Sequence, residues 1–333
     1  MISLLREFEK NINNTGIIGD IGGTNARFAL VTPQGIIEER KYQCKDFHSF
    51  YALLETYITD INVQQSPVSI SLGVAGPVSK EKVRMTNLAW DIDGKTLKSR
   101  FGFKHAQLMN DFVAVAQSVR HLEEGDYEQL GDGYDRGGNV AVIGPGTGLG
   151  FAAISRGEKS DIIIPGEVED ADMFFTGNGA ERNVLDIIKT QFDRPLTNSL
   201  ITGRGLVVLY NAVCINSGSV SYYRKPSEVA DAALGLGEEQ KPNPQAREAL
   251  NMFWSFLGRA SGNLASTVSA TGGVYIAGGI VPRLFEDFKN SRFTAEFEDK
   301  GPRGLTSKIP TYVITAELPA FLGLRASIAS TLK

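Results

Sequence analysis

The chain has 333 residues, of which 42% are hydrophobic and 22% charged, with a formal net charge of -4. That length allows two packed domains, and the balance argues against disordered and fibrous classes. The mild negative charge argues against nucleic-acid binding, which needs a basic face.

Read in chain order, the start MISLLREFEKNINN mixes Arg6, Glu7, Glu9 and Lys10 with apolar residues, so a short amphipathic helix is expected rather than a signal peptide. Residues 16–31 give an apolar strand, a glycine turn and a second apolar strand, and 35–44 a third strand of the same meander. Residues 47–61 carry apolar side chains at helical spacing, 68–78 form a short strand ended by Gly76-Pro77, and 82–93 are extended before a polar helix. Residues 105–122 begin as a strand and turn helical after Asn110 and Asp111, both good caps. Residues 139–156 repeat the strand, glycine turn, strand pattern. The stretch 178–215 reads as broken helix, and 242–270 as a long helix with a proline at its start. Residues 273–288 read as strand, glycine turn and helix, and 311–331 as a strand and a small-residue helix. Cys44 and Cys214 are too few for a disulfide framework or a four-thiolate zinc site, and read as reduced thiols. No apolar run approaches the ~20 residues of a membrane span, so the expected location is cytoplasmic.

The duplicated hairpin predicts two similar α/β domains facing each other across a ligand-binding cleft. In the first copy, Gly22 and Gly23 lack Cβ atoms and let backbone N–H groups approach phosphate oxygens. Thr24 adds a hydroxyl, and Asp20 at the strand end suits a hydrated Mg ion. In the second copy, Gly144 to Gly150, the amides and Thr147 offer a similar cradle. A dinucleotide fingerprint must open a helix, whereas here the chain continues as a strand, so that reading is rejected. Ala277-Gly278-Gly279 after an apolar strand suits either an adenosine or a plain tight turn. Asn110-Asp111 is ordinarily a helix cap; functionally, Asp111 within reach of a sugar hydroxyl accepts its proton during phosphoryl transfer. Pro165-Gly166-Glu167 offers a carboxylate to polyol hydroxyls but, with acidic neighbours, also reads as a solvated loop.

Taken together, GDIGGTNARFAL, MTNLAW, MNDFVAVA, GPGTGLG, PGE, GRGLVVLY and YIAGGIVPR resemble the bacterial glucokinase family of the actin-like ATPase and sugar-kinase superfamily. The resemblance implies two ribonuclease-H-like α/β domains, 1–111 plus 318–333 and 112–317, with an interdomain cleft. It implies ATP phosphates held by Gly19, Asp20, Ile21, Gly22, Gly23, Thr24 and Asn25 and by Gly146, Thr147 and Gly148, with Mg2+ at Asp20. Gly278 and Gly279 lie by the adenosine, Asp111 is the base, and Asn87, Asn110 and Glu167 bind the sugar.

Two positions depart from the family pattern. Asp170 stands where the family has a sugar-binding His, and the three histidines, His48, His105 and His121, all come earlier. Asn198 stands about where the family has a Glu. The expected activity is therefore an ATP-dependent hexose kinase, glucose first, acting on the 6-hydroxyl. A kinase for another hexose or an amino sugar is one alternative. A nucleotide-dependent sensor or filament protein without sugar turnover is the other. The expected partner is a small sugar, with neither nucleic acid nor membrane, and a homodimer is an open expectation.

Overall fold

The computed structural model describes residues 15–62, 67–85, 88–158, 160–172, 179–192, 197–236, 240–302 and 304–331. The chain divides into two compact units, Met1–Asp126 with Ala316–Lys333, and Tyr127–Thr315. Both are α/β with mixed sheets.

The first unit starts with β1 (Gly16–Ile21), β2 (Asn25–Thr32) and β3 (Gly35–Gln43), followed by α1 (Phe50–Ile61) and β4 (Ser69–Val74). Three short strands come next, β5 (Val78–Ser79), β6 (Lys82–Arg84) and β7 (Asp91–Asp93), then α2 (Gly94–Phe101), β8 (His105–Asn110) and α3 (Asp111–Ser118). The main sheet has the order β3-β2-β1-β4-β8, and β5-β6-β7 make a separate small one. The hairpins β1-β2 and β2-β3 are antiparallel, as the meander predicts, while β1-β4 and β4-β8 are parallel.

Alternation along β1 and β2 sends Ile17, Ile21 and Phe28 into one core, where they meet Leu53 and Tyr57 of α1. The Phe28 and Tyr57 rings stack at 5.1 Å. Burying such side chains stabilises the fold by about 1.5–3 kcal/mol each. Helix α1 begins where Ser49 accepts the Ala52 N–H, and ends at Asn62 in the left-handed region.

The second unit opens with β9 (Tyr127–Leu130), β10 (Val140–Pro145), β11 (Leu149–Ser155) and β12 (Ile162–Gly166). Helices α4 (Gly179–Gln191), α5 (Gly203–Asn216), α6 (Pro226–Leu234) and α7 (Pro244–Thr267) follow. The unit then runs through β13 (Gly273–Ile276), α8 (Ile280–Arg283), α9 (Phe285–Lys289), α10 (Phe293–Glu298) and β14 (Thr311–Ile314). Its six strands are ordered β12-β11-β10-β13-β14-β9. Helices α4 to α7 cover the Ala141, Ile143, Val274 and Ile276 face. Pro244 opens α7, as the sequence predicts, and Asn243 caps it by accepting from the Ala246 N–H.

The last helix, α11 (Pro319–Thr331), returns to the first unit. It packs on α3, and a Cβ added at Gly323 would meet the Ala114 carbonyl oxygen at 2.0 Å. Only glycine lets the two backbones come this close. For that reason α3, expected in the larger domain from residue 112 on, sits in the first unit, and the divisions fall after Asp126 and before Ala316. The expected N-terminal helix lies outside the described residues. Among the described residues, no helix is long and apolar enough to cross a membrane.

Candidate active site

The two groups of candidate residues sit at one end of each sheet, because parallel strands bring their C-terminal ends to a common edge. In the first unit Ile21 of β1 is level with Val74 of β4, and Val74 with Asn110 of β8. The glycine turn after β1 and the Asn110-Asp111 corner after β8 are therefore two strand spacings apart, about 10 Å.

Asn110 ends β8 and caps α3: its Oδ1 accepts from the Phe112 and Val113 N–H groups at 2.9 and 3.4 Å, and its Nδ2 donates to the Gly76 carbonyl at 3.3 Å. The cap is a structural role, and it also fixes where Asp111 stands. Asp111 is half-buried, and its Oδ1 accepts from the Phe112 N–H at 2.9 Å. Gly73 of the neighbouring strand leaves room for it, since a Cβ there would lie 3.5 Å from the Asp111 Cα. Asn87 lies outside the described residues.

The first glycine turn is braced on its inner side. Gly22 N–H donates to the Asn25 carbonyl at 2.9 Å, and Asn25 Oδ1 accepts from Gln43 Nε2 at 2.6 Å. Cys44 donates its N–H to the Thr24 carbonyl at 2.9 Å and its thiol to the Gly22 carbonyl at 3.4 Å. Among the described residues no hydrogen bond takes up the N–H of Gly23 or Thr24. Two donors on an exposed bend are what an anionic oxygen requires.

Asp20, within β1 just before this turn, has its carboxyl pushed up by burial, with Arg27 opposing. Arg27 Nη1 is 3.8 Å from Asp20 Oδ2, a weak pairing. Among the described residues no cluster of three or more His, Cys, Asp or Glu can hold a metal by itself. A lone desolvated carboxylate with hard oxygen donors nevertheless fits Mg2+, which keeps most of its waters and takes its other ligands from phosphates.

In the second unit β10 and β11 form the hairpin whose bend is Gly146-Thr147-Gly148, with Gly146 N–H donating to the Gly148 carbonyl at 2.8 Å. Parallel pairing of β10 with β13 carries Gly278 to the same place: Ala277 N–H donates to the Ile143 carbonyl at 2.8 Å. Gly278 has φ 86°, and a Cβ there would meet the Pro145 carbonyl oxygen at 2.5 Å. Gly279 follows as the residue before α8. Replacing Gly278 by Ala should cost about 1–3 kcal/mol through backbone strain, read as a lower thermal midpoint.

Gly166 pairs with Phe151, so Glu167 leaves β12 at this same sheet edge and is exposed. Pro165 and Gly166 lie on a strand rather than in the loop their acidic neighbours suggest. Asp170, exposed, ends the short 3-10 turn Val168–Asp170, and Asn198 lies in a second such turn, Thr197–Ser199. The two turns pack together, with Thr197 N–H donating to the Ala171 carbonyl at 3.0 Å. The structure thus brings the two departures from the family pattern into neighbouring turns. Asn198 Oδ1 is buried without a hydrogen-bond partner among the described residues.

Like the Cys44 brace of the first turn, a brace of the second turn carries no signal in the sequence. Gly203, at the start of α5, donates its N–H to the Gly146 carbonyl at 2.9 Å and so braces the second glycine turn. Thr202 before it caps the helix by accepting from Gly205 N–H at 3.0 Å, a Thr-Gly signal that marks the helix start but not its partner.

Two strand, glycine-turn, strand hairpins on mixed sheets, one on the same sheet edge as an Asn-Asp helix start, match the pattern of the sugar kinases. The glucokinase family profile matches residues 17–331, and the chain belongs to that family. It is 36% identical over 317 residues to the glucokinase of Nitrobacter hamburgensis, covering 95% of this chain and 97% of that one. Among solved structures, a glucokinase from an Antarctic psychrotroph superposes with TM-score 0.80 at 28% identity, over 95% of this chain and 99% of the other. The glucokinase of Balamuthia mandrillaris in complex with glucose superposes with TM-score 0.79 at 20% identity, over 99% and 98%.

Proposed function

We propose that the chain is an ATP-dependent glucose kinase that transfers the γ-phosphoryl group of ATP to the sugar 6-hydroxyl. The observation that carries the mechanism is the sheet edge of the first unit, where a turn with two N–H groups uncommitted among the described residues follows β1 and the Asp111 carboxylate follows β8, two strands across the same parallel set. Asp111 accepts the 6-hydroxyl proton as that oxygen bonds to phosphorus and the bond to the ADP oxygen breaks. The Gly23 and Thr24 amides hold phosphate oxygens, and the Thr147 and Gly148 amides of the second bend are offered for the same role. Asp20 would hold Mg2+, which when bound would supply neutralisation of phosphate charge. Gly278 and Gly279 bound the adenosine side. Asn110 orients the sugar, with Asn87 and Glu167 completing its hydroxyl contacts.

We take each unit to be a ribonuclease-H-like domain, and the enzyme to be cytoplasmic. A second reading, a kinase for another hexose or an amino sugar, centres on one place: among the described residues Asn198 Oδ1 is a buried acceptor open to a donor, beside the turn that carries Asp170. Both a sugar hydroxyl and an ammonium can supply that donor.

A panel of glucose, mannose, fructose and glucosamine with MgATP, read as ADP release, tests both readings. Glucose giving the highest kcat/KM supports the first, and mannose, fructose or glucosamine giving it supports the second. Binding of MgATP with no sugar-dependent ADP release would mean a sensor or filament protein instead.

A further inference from the structure

Resting on the reading of the first glycine turn as a phosphate site, we propose that Cys44 is a positioning residue for nucleotide binding, its thiol setting the Gly22-Gly23 peptide so that the Gly23 N–H faces the phosphate. The argument starts from peptide geometry. In a trans peptide the carbonyl and the following N–H point in opposite directions, and no cis peptide is present among the described residues. Whatever holds the Gly22 carbonyl inward therefore holds the Gly23 N–H outward. Two glycines in succession have too much rotational freedom to hold that plane themselves.

Cys44 supplies the hold. It lies fully buried at the end of β3, in the core that also contains Phe28 and Phe50. From there it grips the turn at two points, the thiol on Gly22 O at 3.4 Å and the N–H on Thr24 O at 2.9 Å. The second grip survives any substitution, being backbone. The first depends on the side chain, and a thiol is a weak donor. Burial also pushes the thiol pKa up, which keeps the proton on sulfur, where the bond to the carbonyl requires it. The sequence conceals this arrangement, because nothing local ties a cysteine after one strand to a glycine turn two strands earlier.

The test separates a positioning role from a packing role. Cys44→Ala should raise KM for MgATP about three-fold, toward the low end for a hydrogen bond because a thiol is a weak donor, while kcat and the sugar KM change by less than about 1.5-fold. Cys44→Ser, which keeps a donor, should restore the MgATP KM to within about two-fold. An unchanged MgATP KM in Cys44→Ala overturns the proposal. So does a Ser variant as impaired as the Ala variant, or a loss spread equally over kcat and both KM values.

A second measurement uses the unmodified protein. Cys214, buried in the second unit, serves as an internal reference. Alkylation by N-ethylmaleimide, followed by peptide mass, should slow at Cys44 relative to Cys214 when MgATP is added without sugar. If calorimetry detects MgATP binding and that ratio does not change, the Cys44 inference fails alone. If calorimetry detects no MgATP binding, the kinase reading itself fails.

Discussion

Asp111→Asn should lower sugar-dependent ADP release by about a thousand-fold in kcat, within the 10²–10⁴ range of a positioned proton acceptor, with MgATP affinity nearly unchanged. The substitution suits the question because it changes little else. The Asp111 side chain also accepts from the Phe112 N–H at 2.9 Å, which an amide oxygen can do equally well. The cap of α3 belongs to Asn110, so the helix start stays satisfied. Stopped-time assays of ADP release with glucose, beside calorimetry of MgATP binding, give the two readings needed. A variant with full turnover would remove Asp111 from the mechanism, and one that fails to bind MgATP would point to a role in folding instead.

Arg259→Met should destabilise the second unit by about 3 kcal/mol, the cost of stranding buried charges. Arg259 lies on α7, with its side chain only 14% exposed, between Glu181 of α4 at 3.0 Å and Glu296 of α10 at 2.7 Å. Arg292 reaches the other oxygen of Glu296 at 2.8 Å, from a more exposed position. Burial pushes the Glu296 carboxyl up, but the hydrogen bond and charge of Arg259 outweigh it and hold the group below its ordinary 4.5.

The sign follows from that depression. The stabilisation from Glu296 is complete above pH 4.5, the unfolded value, and disappears as pH falls through the lower folded value. Without Arg259, burial acts with less opposition. The variant should be weakest relative to the parent near neutrality, with the gap narrowing in acid. Urea unfolding at pH 7 and pH 4 would measure this, and a loss independent of pH would mean that lost packing, not charge, carries the effect.

How much of this was legible in the sequence depends on how local each signal is. The meander β1-β2-β3 and the second hairpin announce themselves by apolar runs on either side of a glycine bend, and α7 by the proline at its start. Strand order is a different matter. β9 joins the sheet by pairing Tyr127 with Ile314, a partner far along the chain that no local pattern names. β12 looks like a loop because it is an edge strand with Ile162 and Ile164 exposed and a proline at position 165. The glycine turns themselves are legible in the sequence, whereas their braces, Cys44 for one and Gly203 for the other, are contacts made only in the fold. Asp170 and Asn198 were readable as departures from a pattern, yet not as occupants of two packed turns.

The helix that completes the first unit, α11, is separated from the rest of that unit by the whole of the second. On the ribosome this imposes an order. The second unit is continuous in the chain and has every strand of its sheet by Ile314, while β1, β4 and α3 must wait for Pro319 onward to emerge before their open face is covered. The corner bearing Asp111 is thus finished last, and a nascent chain cut short before α11 would carry an exposed apolar surface for chaperones to recognise.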